Sequence, residues 1–345
     1  MQETFISRNV KGKQIQIIVL CLVLCVFSGL LKAQNYKIID SLNSKAYEIR
    51  DFEPEKALLI SGRAIRLAGA DTLQPSYILS LRNAGVSLRI LTQYDEAIHF
   101  LKRALAVAEI TRDSAAMSGC LKDLYIPNLA IGNIKAAKIY IERSLKIDFA
   151  LNDTAAIASG MNYLAYFYYD EGLFDRALEL FVRVATLSTQ VGDSTEAADA
   201  YNNIAAVYYE FDDTEKSLFY YGKALGLYMS LNDYPGIALA HANIALALLD
   251  IEKSELAMEH VLKSIEIFER INDMSSLALA LAVSADVYRS MDSIEKAEKV
   301  FFNAMNLAME TGNYIQLANG FYRQALFYLS VTDTLQAIQS FQNSL

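Results

Sequence analysis

The sequence has no tryptophan, and only four prolines, fifteen glycines, three histidines and three cysteines in 345 residues. So few chain breakers allow few turns, which excludes a loop-rich chain and calls for long helices. His99, His241 and His260 stand in no HExxH or comparable metal spacing. No phosphate loop, nucleophile elbow or paired catalytic carboxylate stands out, so no catalytic residue, cofactor or metal is expected within these residues. His241 sits on a first helix beside apolar positions and is expected in the core. His99 and His260 fall on second helices among charges and are expected to face solvent. Positive charge is also scarce. The formal net charge is −9, which excludes the chain as a whole as a nucleic-acid binder.

Cysteine is scarcer than its count suggests. Cys21 and Cys25 lie in the uncharged run "QIQIIVLCLVLCVFSGLL", Gln14 to Leu31, preceded by Arg8, Lys11 and Lys13 and followed by Ala33 as a cleavage residue. Basic, then apolar, then small is the order of a secretory signal peptide, here over residues 1–33. The run is also long enough for a short membrane anchor, so cleavage and retention both stay open. Leu20 and Leu24 precede the two cysteines where a lipoprotein signal needs a small residue, which argues against a lipid anchor. Cleavage would take the formal charge from −9 to −12 and leave Cys120 alone, with no internal disulfide to form. The protein is therefore expected to be exported, periplasmic or associated with the cell envelope.

What the chain does have is a period. At a spacing of 40, one column reads Ala57, Ala97, Ala137, Ala177, Ser217, Ala257, Ala297, Ala337. A second reads Ala64, Ala104, Ser144, Val184, Ala224, Ser264, Ala304, Ser344, and a third Gly85, Ala165, Ala205, Ala245, Ala285, Ala325, broken by Lys45 and Tyr125. Small residues at fixed places let neighbouring helices approach closely, so ridges fit grooves. Large residues flank them: Tyr168, Tyr208 and Tyr288 on the first helix, Phe181, Tyr221 and Phe301 on the second. A helical hairpin cannot bury its apolar faces alone, so the units stack. The junctions "LND" at 151–153 and 231–233, "VGD" at 191–193 and "IND" at 271–273 pair a residue able to close one helix with an Asp able to cap the next. Pro235 suits a helix start, whereas Pro127 falls inside a first helix and predicts a kink.

These columns resemble the tetratricopeptide repeat family, whose unit carries a small residue and a Tyr on the first helix and Ala, an aromatic and Ala on the second. Ala205, Tyr208, Tyr221 and Ala224 match, with Ser217 in place of one Ala. The resemblance covers residues 36–345. It implies an all-α, right-handed superhelical solenoid of about eight antiparallel helix pairs, the last incomplete. The usual unit has about 34 residues; here it has 40, which predicts helices about one turn longer.

The resemblance also implies a concave groove lined by the first helices, with ligand contacts on either side of the small-residue column. Repeats two and three then offer Arg82, Arg89 and Lys122, and repeat four Asn162, Tyr166, Tyr169 and Asp170. Repeat five offers Asn202, Tyr209 and Glu210, repeat six Ala242, Leu246, Leu249 and Asp250, and repeat seven Asp286 and Arg289. Such a groove would run from basic through aromatic and amide to apolar and would hold a peptide or partner segment across repeats two to six. The alternative is that these residues are solvated or pack between helices. The two-lysine carboxylate clamp of some family members is not carried over: Lys122 matches one lysine, but Ile126 stands where the clamp needs Asn. Two functions follow. One is a protein- or peptide-binding scaffold in the bacterial cell envelope, able to self-associate through an uncapped last repeat. The other is the periplasmic sensor portion of a membrane-bound histidine kinase or helix-turn-helix transcription regulator, since an exported array is similar to the N-terminal region of such proteins.

Overall fold

The structure, a computed structural model, describes residues 34–69 and 71–311 and scattered helical residues between 320 and 343. The expected signal segment at 1–33 and most of the expected eighth repeat, with Ala337 and Ser344, lie outside the described residues. Among the described residues there is no strand. The chain divides into two compact units, one ending at Asp153 and the other beginning at Thr154.

The first unit contains α1 (34–49), α2 (Pro54–Ala68), α3 (Pro75–Ile90), α4 (Tyr94–Thr111), α5 (Ser114–Asp123), α6 (Tyr125–Ala130) and α7 (Ile134–Leu151). The second contains α8 (Thr154–Asp170), α9 (Phe174–Val191), α10 (Ser194–Glu210), α11 (Thr214–Leu231), α12 (Tyr234–Asp250), α13 (Ser254–Arg270), α14 (Met274–Ser290) and α15 (Ile294–Glu310). In that unit the first helices begin at 154, 194, 234 and 274, and their partners at 174, 214, 254 and 294.

One turn design makes this regularity. Left-handed residues recur every twenty positions: Thr92, Arg112, Gly132 and Asn152 in the first unit, and Gly172, Gly192, Asp212, Asn232, Glu252, Asn272 and Asp292 in the second. Each is followed by an N–H that reaches back five residues, as Asp193 does to the Ser188 carbonyl (2.8 Å), Asp213 to Tyr208 (3.0 Å) and Asp233 to Tyr228 (3.0 Å). This is the six-to-one closure that satisfies the last carbonyls of a helix. The same residue often opens the next helix: the carboxylates of Asp113, Asp193, Asp213, Asp233 and Asp273 accept from backbone N–H groups three residues on, at 2.9–3.1 Å. The third repeat departs. Pro127 has no N–H to offer the Asp123 carbonyl, and the first helix is interrupted at Leu124, between α5 and α6. The expected kink is thus a break, with Tyr125 buried beside it.

The small-residue columns are buried. Ala57, Ala97, Ala137, Ala177, Ser217, Ala257 and Ala297 are fully enclosed, as are Ala64, Ala104, Ser144, Val184, Ala224 and Ser264. So are Ala165, Ala205, Ala245 and Ala285 on the first helices. Phe181, Tyr221 and Phe301 fill the space beside them, and a fully buried side chain of that size contributes about 2–3 kcal/mol.

Two glycines in the fifth and sixth repeats test this packing. A Cβ on Gly236 would lie 2.3 Å from the ring of Tyr228. That ring is buried and held by its hydroxyl, which donates to Asp199 at 2.7 Å. Gly226, on α11, has nothing within 4 Å of the same position. Gly236→Ala should therefore destabilise by roughly 1–3 kcal/mol through overpacking, whereas Gly226→Ala should stabilise by up to about 1 kcal/mol. Urea unfolding of the two variants, followed by circular dichroism, checks the opposite signs.

Candidate functional site

The second unit holds a concavity of about 930 Å³. Its walls come from the first helices, where the forty-residue register turns sequence columns into spatial ones. Ala206, Leu246 and Asp286 form one column; Tyr169, Tyr209, Leu249 and Arg289 form a second; Asp170, Glu210 and Asp250 form a third. Asn243, Leu279 and the ring of Tyr221 complete the lining. Most of these positions lie in the last two turns of α8, α10, α12 and α14, so the site is a band across the C-terminal ends of four first helices.

Hydrogen bonds step from one repeat to the next along this band. The Tyr169 hydroxyl donates to Glu210 at 3.0 Å, and the Tyr209 hydroxyl donates to Asp250. Burial, then the neighbouring Glu171, raises the Asp170 carboxyl above its ordinary range. Burial also raises Asp250, partly offset by the bond from Tyr209. The Tyr169 phenol is raised by burial and by Glu210 beside it. Among the described residues the lining thus carries four acids against the single cation Arg289.

Other expected groove residues are placed elsewhere. Tyr166 is half-exposed; its hydroxyl donates to Asn203 Oδ1 at 3.1 Å and its ring stands edge-on to Phe181. Burial pushes that phenol up to about 12. Asn202 is buried between α10 and α12, where its Oδ1 accepts from Asn243 Nδ2 at 3.1 Å. Ala242 is buried too. Among the described residues, Asn162 Oδ1 and Asn203 Nδ2 are enclosed without a hydrogen-bond partner. None of Asn162, Asn202 and Ala242, which form one column, lines the concavity.

In the first unit, two of the three expected cations are engaged within the array. Arg82 Nε donates to Asp123 at 2.7 Å, across α3 and α5, and its guanidinium fills the space above Gly119. The Asp123 charge holds Arg82 further above its ordinary pKa. Lys122 Nζ lies 3.1 Å from Asp148, which is 1% exposed and also receives the Ser118 hydroxyl. Arg89 stands half-exposed near the end of α3. Of the cations expected in a basic stretch of the groove, Arg82 and Lys122 thus neutralise carboxylates of their own unit. Cys120 is fully buried, and burial pushes its thiol up to about 12.

His99 is exposed. His260 is not solvent-facing as expected: it is half-buried, with its Nδ1 2.9 Å from Nδ1 of the buried His241. At that separation one nitrogen donates and the other accepts, so at least one ring of the pair is neutral. Burial, then the proximity of His260 and Lys263, pushes His241 down to about 4. Among the described residues no three His, Cys, Asp or Glu side chains converge to hold a metal ion. No described helix is long and apolar enough to cross a membrane.

Residue positions missed by the sequence reading are Ala206, Tyr221, Asn243 and Leu279. Tyr221 carried a packing signal and does pack; its ring also floors the concavity. Asn243 stands in a column with Asn83 and Asn203.

Residues 153–230 match a family model described as tetratricopeptide repeat. Among solved structures the chain is similar to the apo form of the quorum sensor NprR from B. thuringiensis, with a TM-score of 0.67 and 14% identity, covering 90% of this chain and 87% of that one. It is similar to the apo form of RapI, with a TM-score of 0.66 and 13% identity over 77% of this chain and 96% of that one. It is also similar to the Rap conjugation gene regulator of plasmid pLS20 in complex with the Phr* peptide, with a TM-score of 0.65 and 12% identity over 90% and 94%. No curated protein matches the sequence. At these identities the likeness is one of fold, and the fold is a tetratricopeptide-type helical repeat scaffold.

The histidine pair yields a pH dependence. The folded pKa of His241, about 4, lies below the unfolded value of about 6.5. The unfolded chain therefore takes up the proton first as pH falls, and the stability tied to neutral His241 is complete above about pH 6.5 and lost towards pH 4. Urea midpoints should fall more steeply over this window in the natural protein than in His241→Gln. Equal slopes would remove His241 from the acid response.

Proposed function

We propose that the protein is a peptide- or protein-binding scaffold whose partner sits in the concavity of residues 154–310. The observation that carries this reading is the juxtaposition, in one groove, of hydrogen-bonding carboxylates and Asn243 with aromatic and aliphatic surface from Tyr209, Tyr221, Leu246 and Leu249. An extended segment needs both: polar groups to meet its backbone and apolar surface to take alternate side chains. The volume is at the upper end of ordinary ligand sites. Neighbours of the same fold support a peptide as the occupant, since one is described in complex with the Phr* peptide.

The scaffold acts after export in this proposal, in the periplasm or at the cell envelope, on the strength of the basic and apolar order of residues 8–33. A second reading is the sensing portion of a longer membrane-bound signalling protein. It is favoured by the fold shared over 90% of the chain with a structure described as a quorum sensor, and it is an analogy of fold. In both readings the groove is the binding face.

In-cell photo-crosslinking tests this. A photoreactive phenylalanine at Leu249, inside the groove, should capture a discrete partner. The same residue at Phe219, which is 57% exposed on α11 and outside the groove, should capture none. Capture from Phe219 and not from Leu249 would overturn the proposal.

A further inference from the structure

The charge of the groove says what kind of segment it takes. Asp170, Glu210 and Asp250 follow one another along three successive first helices, with Asp286 on the fourth. Among the described residues no lysine or arginine forms an ion pair with Asp170, Glu210 or Asp250. Each of Glu210 and Asp250 accepts one hydrogen bond from a tyrosine of the preceding repeat, and a carboxylate has about four acceptor positions, so most of their capacity is open. Like charges lining one low-dielectric concavity reinforce one another and attract the opposite sign. Beside them Leu246, Leu249 and Leu279 offer apolar surface on which the stem of a long cationic side chain can lie.

A second observation comes from the opposite end. Among the described residues, Arg289 Nε is enclosed and has no hydrogen-bond partner. A buried donor left unmade is costly; the Arg289 side chain lines the groove, and its rotation towards an occupant's carbonyl or carboxylate would satisfy that donor. First helices about 10 Å apart place α8 and α14 roughly 30 Å apart, which an extended segment of roughly nine residues spans.

Resting on the reading of the groove as a peptide site, we infer that its occupant is a cationic segment. Lysine or arginine side chains lie along the row Asp170, Glu210 and Asp250, a neighbouring apolar side chain lies on Leu246 and Leu249, and a carbonyl or carboxylate of the same segment meets Arg289.

The test uses fluorescein-labelled nonapeptide mixtures, each with one position fixed, and the full chain, read by anisotropy. Mixtures fixed as Lys or Arg should bind at least about tenfold more tightly than those fixed as Asp or Glu, and should weaken as salt screens the groove. Glu210→Gln and Asp250→Asn keep an acceptor for their tyrosines and remove the charge; each should weaken binding of the Lys and Arg mixtures by about tenfold. The double variant Glu210→Lys, Asp250→Lys should reverse the preference towards the acidic mixtures. Unfolding midpoints of all variants establish that they fold. Binding that ignores the sign of the fixed residue, or that survives both neutral variants, would overturn the cationic inference and leave the groove reading standing. Binding of spermidine equal to that of the Lys mixtures would also overturn it, since a polyamine lacks the carbonyls that Arg289 requires. No binding by any mixture, together with no crosslink from Leu249, would overturn both.

Discussion

A left-handed residue every twenty positions is the constraint on which the rest of the structure depends. From Thr92 to Asp292 the recurrence is unbroken. Each such residue lets the next N–H reach back five positions and close its helix, after which a new helix starts at the same phase. Only because each half-unit has the same length do the small residues return to the same place on every helix. A one-residue slip would rotate the following helix by about 100° and bring a large side chain where Ala165, Ala205 or Ala245 now admits its neighbour. Residues of quite different intrinsic preference fill these turns. Gly192 adopts the left-handed region without strain, whereas Arg112, Glu252 and above all the β-branched Thr92 adopt it against their preference. The closure of the array enforces the conformation.

From that register follows the division between structure and site. Within one first helix, positions a turn or two apart have different duties. Asn202 and Ala242 are buried between neighbouring helices, while Tyr209, Leu249 and their column open onto the concavity. The groove is therefore written in columns, and its chemistry changes along the array by substitution within a column: Tyr169 and Tyr209 give way to Leu249 and Arg289. The two tyrosine-to-carboxylate bonds make the band partly self-ordered, which would lower the entropic cost of binding in the proposed groove.

The fold was legible because its signals are local or strictly periodic. The alanine columns, the closing Asn or Gly and the capping Asp each announce themselves within a few residues, and the structure buries or bonds them accordingly. What was not legible depends on which polar group stands opposite. Lys122 and Asp148 are 26 residues apart and Arg82 and Asp123 are 41 apart, so neither pair shows in a column. Read one column at a time, both cations pointed to a basic groove. Paired across helices, they balance the carboxylates of Asp123 and the buried Asp148. His260 misled in the same way: its neighbours in sequence are charged, yet its neighbour in space is His241. The four acids Asp170, Glu210, Asp250 and Asp286 were each legible as groove residues; the acidic sign of the concavity appears once Arg82 and Lys122 are seen to pair elsewhere.

The most direct measurement is hydrogen exchange, by mass spectrometry, on the protein purified with its native partner and again after the partner is stripped. If the partner occupies the groove, protection should appear in segments forty residues apart, around 166–170, 206–210, 246–250 and 286–289, while the middles of α9, α11 and α13 stay unchanged. Protection confined to those second helices, with the four first-helix segments unaltered, would contradict the groove as the binding face.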